Sequence, residues 1–222
     1  MPARALTMGS LGLALLASVL AGCSAGATPV AHAPPPNPAP APAPKADVPS
    51  GFDGPFGERS LARVPARVSL PDARAWHARP SGSFTLLEHA PTHSTLALRI
   101  VNAARLVRPE QCEADARLAR PSLPASDGVN VVERRALGAP QGFDTRLAVG
   151  VEPGPAGSVR GFALAIGAAT GRCYVACFET ESAGPHAADD VADRLAVMVS
   201  GALETLRVPH AEERAAPPMG VK

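Results

Sequence analysis

The chain has 222 residues, with 21 Lys and Arg against 20 Asp and Glu, for a formal net charge of +1. Such balance creates no overall field that would gather nucleic acid, and an aromatic content of 4% leaves no interleaved basic-aromatic surface for single strands. Lys45 and Lys222 are the only lysines, so the basic character rests on arginine.

At the start of the chain, Arg4 precedes an uncharged apolar run, LTMGSLGLALLASVL, from Leu6 to Leu20. A basic residue, a short Leu/Ala core and then small residues form the pattern of a secretory signal. The run has 15 residues, fewer than the ~20 a helix needs to cross ~30 Å of hydrocarbon. Leu20, Ala21, Gly22 and Cys23 follow, and this LAGC resembles the lipobox of bacterial lipoproteins. The resemblance covers the first 23 residues. It implies a signal peptide over residues 1–22, a diacylglyceryl group on the Cys23 thiol, cleavage before Cys23 and acylation of the new amino group. At about 0.8 kcal/mol per buried CH2, two or three chains make attachment effectively permanent. Ser24, where an aspartate would retain the protein, resembles the sorting signal for the outer membrane. The expected location is therefore the cell envelope, anchored in the membrane through Cys23 and facing the periplasm or the surface. An ordinary cleaved signal, or an uncleaved anchor with Cys23 unmodified, are the competing readings.

Residues 23–50 then read as the lipidated cysteine and a tether. Its sequence PVAHAPPPNPAPAPAPKADVPS, from Pro29 to Ser50, alternates proline so often that it favours extended polyproline II with nothing to bury. At about 3.1 Å per residue it behaves as a semi-rigid spacer. Residues 51–210 suit a single globular domain with a core of its own. Residues 211–222 show no apolar periodicity and read as a disordered tail. Arginines dominate from Arg59 to Arg108, while Glu179, Glu181, Asp189, Asp190 and Asp193 make the C-terminal part acidic. This asymmetry predicts electrostatic complementarity between two parts of one domain.

Within the domain, FTLLEHA and STLALRIV flank Pro91-Thr92-His93 and predict a hairpin. RPEQCEADARLARP opens with Pro109, carries Glu110 and Glu113 early and Arg117 and Arg120 late, and stops at Pro121, which predicts a short helix. VNVVERRAL and FDTRLAVGV read as strands, as do VRGFALAIG and RCYVACFET, each bounded by Gly-containing turns. AADDVADRLAVMVSGALETLRV sets Val191, Leu195, Met198, Ala202 and Leu206 along one stripe and predicts a long closing helix. Short turns between adjacent strands imply antiparallel pairing. The fold class is therefore α+β, a largely antiparallel sheet of about 6–7 strands with two packed helices. VSLPDARAW ahead of the strands and the closing LETLRV resemble, in element order, the PsbP-like α/β/α sandwich. The members of that family bind or assist larger complexes, which would imply the same kind of role here.

Outside the lipobox segment Gly22–Gly26 no G-x-S-x-G occurs, and the chain has no P-loop, G-x-G-x-x-G or H-E-x-x-H. His89 and His93 sit near Glu88, but Pro91 between them forbids a helical pair of zinc ligands, so they read as solvated histidines at a polar hairpin tip. Trp76 reads as a core anchor with His77 facing water. The acids of ADDVAD suit a helix start and need no calcium. Carboxylate pairs for hydrolysis need only meet in space, and nothing in the sequence singles one out. The expected function is a non-catalytic interaction or assembly module, with a protein partner in the envelope and neither metal, cofactor nor nucleic acid. The competing readings are a tethered small-ligand or metal-binding protein using Trp76, His77 or His89/His93, and a periplasmic hydrolase.

The remaining cysteines follow from the compartment. Export favours disulfides over zinc-thiolate sites. Cys173 and Cys177 lie four apart on one strand, about 13 Å at ~3.3 Å per residue, beyond the ~7 Å limit for a bridge. Cys112, in the first turn of the helix, can reach either. The strand entrance favours Cys112–Cys173 over Cys112–Cys177 and leaves the third cysteine as a buried thiol.

Overall fold

A computed structural model describes residues 51–61 and 64–209. Cys23, the apolar run before it, the tether and the tail beyond residue 209 lie outside the described residues. Among the described residues no helix is long and apolar enough to cross a membrane.

Two short strands, β1 (Gly57–Ser60) and β2 (Arg67–Leu70), form a separate antiparallel ribbon. The main sheet contains β3 (Trp76–Ser81), β4 (Phe84–His89), β5 (Ser94–Leu106), β6 (Val131–Leu137), β7 (Asp144–Pro153) and β8 (Val159–Ser182) in the order β3-β4-β5-β8-β7-β6, and every pairing is antiparallel. Helix α1 (Pro109–Ala119) links β5 to β6, and α2 (Ala187–Met198) follows β8. The fold is thus α+β, with an antiparallel sheet of six strand elements, a two-stranded ribbon and two helices.

The 24 residues of β8 do not run straight. Its first limb, residues 159–168, pairs with β7, while residues 170–179 pair with β5. Ser158 and Glu181 would lie on the order of 75 Å apart along a straight strand, yet the Ser158 hydroxyl donates to Glu181 Oε1 over 2.5 Å. The chain reverses at Gly171, whose φ of 69° is a left-handed value that glycine adopts without strain. The two limbs therefore lie side by side at the centre of the sheet. They correspond to VRGFALAIG and RCYVACFET.

Both limbs are buried on both faces, as their nearly unbroken apolar runs require. Phe162, Leu164, Ile166, Cys173, Val175 and Cys177 pack with Cys112 and Ala116 of α1. Ala163, Ala165, Tyr174, Ala176 and Phe178 face the other way, toward Val191, Leu195 and Met198 of α2. One helix thus covers each face. Small residues set the distance on the α2 side, where a Cβ on Gly161 would meet Val191 Cγ1 at 2.4 Å.

α1 opens with Pro109 at its first turn and stops at Ala119, ahead of Pro121, with the Gln111 side chain accepting the Arg108 N–H at 3.1 Å. The closing helix is shorter than its sequence stripe predicts. It ends at Met198 and continues as a π-helical turn, Val199–Leu203. Leu206 is buried beyond that turn, in an extended segment rather than on the helix.

The expected complementarity between the arginine-rich and acidic parts is corrected by the ion pairs. Glu179 meets Arg120 at 2.8 Å and Glu181 meets Arg160 at 3.9 Å. Arg67 and Arg79 pair with Glu58 and Glu88 on the adjacent strands. Glu179 and Glu181 thus find their arginines at the end of α1 and on the first limb of β8, and Arg67 and Arg79 find carboxylates on adjacent strands, so these pairs do not join the arginine-rich part to the acidic part.

Candidate functional site

Three arrangements stand out, two of which draw together residues singled out by the sequence. The first centres on His89. The expectation of two solvated histidines fails for it, since His89 is 1% exposed while His93 faces solvent. Asp72 lies 17 residues away, in a turn leading from β2 to β3, and its Oδ2 approaches His89 Nε2 at 3.3 Å. Nδ1 lies 2.8 Å from Thr92 Oγ1. A chain of hydroxyls continues from Thr92 to Ser94 and from Ser94 to Thr180, each step 2.8 Å. Arg194 of α2 closes the cluster by donating to the carbonyls of Thr92, at 3.1 Å, and Glu181, at 3.0 Å. Burial pulls the pKa of Arg194 down, and nearby Asp190 acts in the opposite direction.

An Asp, a His and hydroxyl residues in series have the composition of a nucleophilic triad. The geometry does not permit that chemistry. Thr92, Ser94 and Thr180 are all buried, and the Phe52 and Trp76 rings stand 5.1 Å from the imidazole. No substrate carbonyl can reach a hydroxyl there. The cluster satisfies buried polar groups and ties the β4–β5 turn to α2 and the end of β8.

Trp76 is a core anchor. Its indole Nε1 donates to the Pro71 carbonyl at 2.8 Å, and His77 beside it is exposed. Arg59 Nη1 donates to the Trp76 carbonyl at 2.5 Å and sits with His77, Arg79 and Thr85 around a shallow groove of about 400 Å³. Among the described residues no group of three or more His, Cys, Asp or Glu could hold a metal ion.

The second arrangement is the cysteine cluster. Cys112 and Cys173 form a disulfide with their Cα atoms 5.6 Å apart. It pins the first turn of α1 to the second limb of β8. Cys177 is a free, buried thiol on the same face. Burial pushes its pKa well up, the charge of Glu179 adds to the rise and Arg120 opposes it, so the nucleophilic thiolate is disfavoured.

The third arrangement had no local signal in the sequence. A groove of about 970 Å³ opens between Arg67 of β2, the loop after β6 and the segment after the π-helical turn. Leu137, Leu206 and Val208 lie at its base, and Arg67, Arg135 and Arg207 stand around it with Glu204. Arg135 is engaged by Glu204 at 2.6 Å and by Glu133 at 2.8 Å. Arg67 and Arg207 are 140 residues apart, so only the folded chain brings them together.

No family model matches the chain, and no curated protein matches it. Among solved structures it is similar to a protein from Bacteroides thetaiotaomicron VPI-5482, at 11% identity and a TM-score of 0.42. The alignment covers 70% of this chain and 49% of that one, so the chain spans about half the length of that protein. Likeness at this level carries nothing about activity.

Proposed function

We propose that the chain is a lipid-anchored protein of the bacterial cell envelope, whose folded part is a non-catalytic binding or assembly module held off the membrane by a proline-rich tether. The observation that carries this reading is LAGC at Leu20–Cys23, placed after an uncharged apolar run and before the alternating prolines of residues 29–50. A lipobox in that context gives Cys23 the role of the membrane anchor, and Ser24 directs the protein to the outer membrane, facing the periplasm or the surface. Tethered in this way, the domain meets its partners within the reach of an extended spacer.

Two features of the domain support a binding role. The His89 constellation is sealed beneath Phe52 and Trp76, while the relief open to solvent is a groove ringed by guanidinium groups. The layering, with one helix on each face of an antiparallel sheet, is compatible with a PsbP-like sandwich, and we extend to this chain that family's role of assisting larger complexes. Crosslinking in intact cells followed by affinity capture of the full chain tests the module. A discrete envelope protein should be recovered with it. Recovery of the uncrosslinked chain alone, together with turnover of ester or peptide substrates, would favour the hydrolase reading instead.

A further inference from the structure

We infer that the groove beside Arg67 and Arg207 binds an extended acidic peptide segment of a partner protein. This rests on the reading of the folded part as a binding module and names the chemistry of what it binds.

Arg67 N–H donates to the Arg207 carbonyl at 2.8 Å, and Arg207 N–H donates to the Arg67 carbonyl at 2.9 Å. This reciprocal exchange is the close hydrogen-bonded pair of an antiparallel bridge, with Cα atoms about 5.5 Å apart and side chains leaving on the same side. Both residues are exposed, and both line the groove. Two cations directly opposite one another destabilise the pairing. The chain answers this repulsion only in part. Glu58 lies 3.6 Å from Arg67, with both side chains at least half exposed. Among the described residues Arg207 has no ion-pair partner. Across the groove, Glu204 and Glu133 already occupy Arg135. Among the described residues lining the groove, positive charge without a carboxylate partner is therefore concentrated at the bridged pair.

The occupant follows from spacing and lining. On an extended peptide, residues i and i+2 lie on one face about 6.6 Å apart. Two carboxylates so placed match two guanidinium groups rooted about 5.5 Å apart, and each contact can be bidentate. Leu137, Leu206 and Val208 line the groove but are buried within the domain, so recognition rests on the two guanidinium groups. A groove of about 970 Å³ is far larger than a lone inorganic anion and has room for the extended chain that carries both carboxylates.

The test uses the full chain in detergent and a fluorescein-labelled Glu-Leu-Glu-Leu-Glu peptide, followed by anisotropy at physiological salt. The wild type should bind, and Arg67→Gln/Arg207→Gln should weaken binding at least tenfold. Arg74→Gln/Arg117→Gln, exposed positions away from the groove, should stay within twofold. Without peptide, Arg207→Gln should melt no lower than the wild type, because it relieves a like-charge contact. No binding by the wild type, or equal weakening by the control pair, overturns the assignment. Displacement of the peptide by inorganic phosphate at comparable concentration overturns the peptide as occupant. Cellular capture of a partner that is unchanged in Arg67→Gln/Arg207→Gln would leave the module reading standing and remove the groove from it.

Discussion

Replacing Gly167 with alanine tests the reversal at the centre of the sheet. A Cβ at Gly167 would stand 1.9 Å from Tyr174 Cε1 and 2.5 Å from Cδ1. The ring cannot move aside freely. Its hydroxyl lies 3.1 Å from Thr145 Oγ1 and 3.2 Å from the Ala139 carbonyl, and Phe143 packs at 5.2 Å in an edge-on contact. Overpacking of this kind costs about 1–3 kcal/mol. Losing the hydroxyl's hydrogen bond adds about 0.5–1.5 kcal/mol. Alanine recovers about 0.5–1 kcal/mol of backbone entropy relative to glycine. The net loss should be about 2 kcal/mol. In a Tyr174→Val background the new methyl enters vacated space and should cost close to nothing. Urea unfolding of residues 51–210, followed by circular dichroism and by fluorescence of Trp76, the single tryptophan, gives all four corners of the cycle. A coupling of about 2 kcal/mol is expected. On a straight strand residues seven apart lie about 23 Å from each other, so additivity within ~0.5 kcal/mol would refute the reversal.

Cys112→Ala/Cys173→Ala opens a loop with a sequence separation of 61, which the chain-entropy relation places at roughly 4 kcal/mol of stability, read from the urea midpoint. In the intact domain Cys177 should ignore a thiol reagent until the chain is unfolded, and fast labelling of the native protein would contradict its burial. Burial also raises the pKa of Tyr174, the single tyrosine, above the ordinary phenol range. Its contribution is fully present below the unfolded phenol value of about 10 and is lost as pH rises from there toward the folded value, because only the unfolded chain releases the proton. In a Cys177→Ala background, thermal melts should fall above pH ~10, and Tyr174→Phe should flatten that fall. An unchanged slope would contradict the burial argument.

What the sequence disclosed was whatever its local pattern recorded. The β4–β5 hairpin and both limbs of β8 appear as apolar runs punctuated by Pro91 and Gly171, and α1 announces itself through Pro109 and its graded charges. β1 and β3 were not legible for the opposite reason. GERS in β1 buries no residue fully, and WHARPS in β3 buries only Trp76 and contains Pro80, which suits an edge strand. His89 was misread because the carboxylate that meets it comes from Asp72, in another turn, and no local window contains both. The closing stripe ran past the end of α2 because burial continues through the π-helical turn, where periodicity no longer reports helix type. The pairing of Arg67 with Arg207 arises only when the C-terminal segment returns to β2, so its signal is wholly tertiary.

The measurement that bears most directly on the account is acylation of Cys23. The full chain should be expressed in a Gram-negative bacterium fed an alkyne fatty acid, and labelling and molecular mass read together. The wild type should take up the label and lose residues 1–22, while Cys23→Ser should remain unlabelled and uncut by the lipoprotein peptidase. Persistent labelling of Cys23→Ser, or a processed wild type without label, would contradict the anchor from which the function is argued.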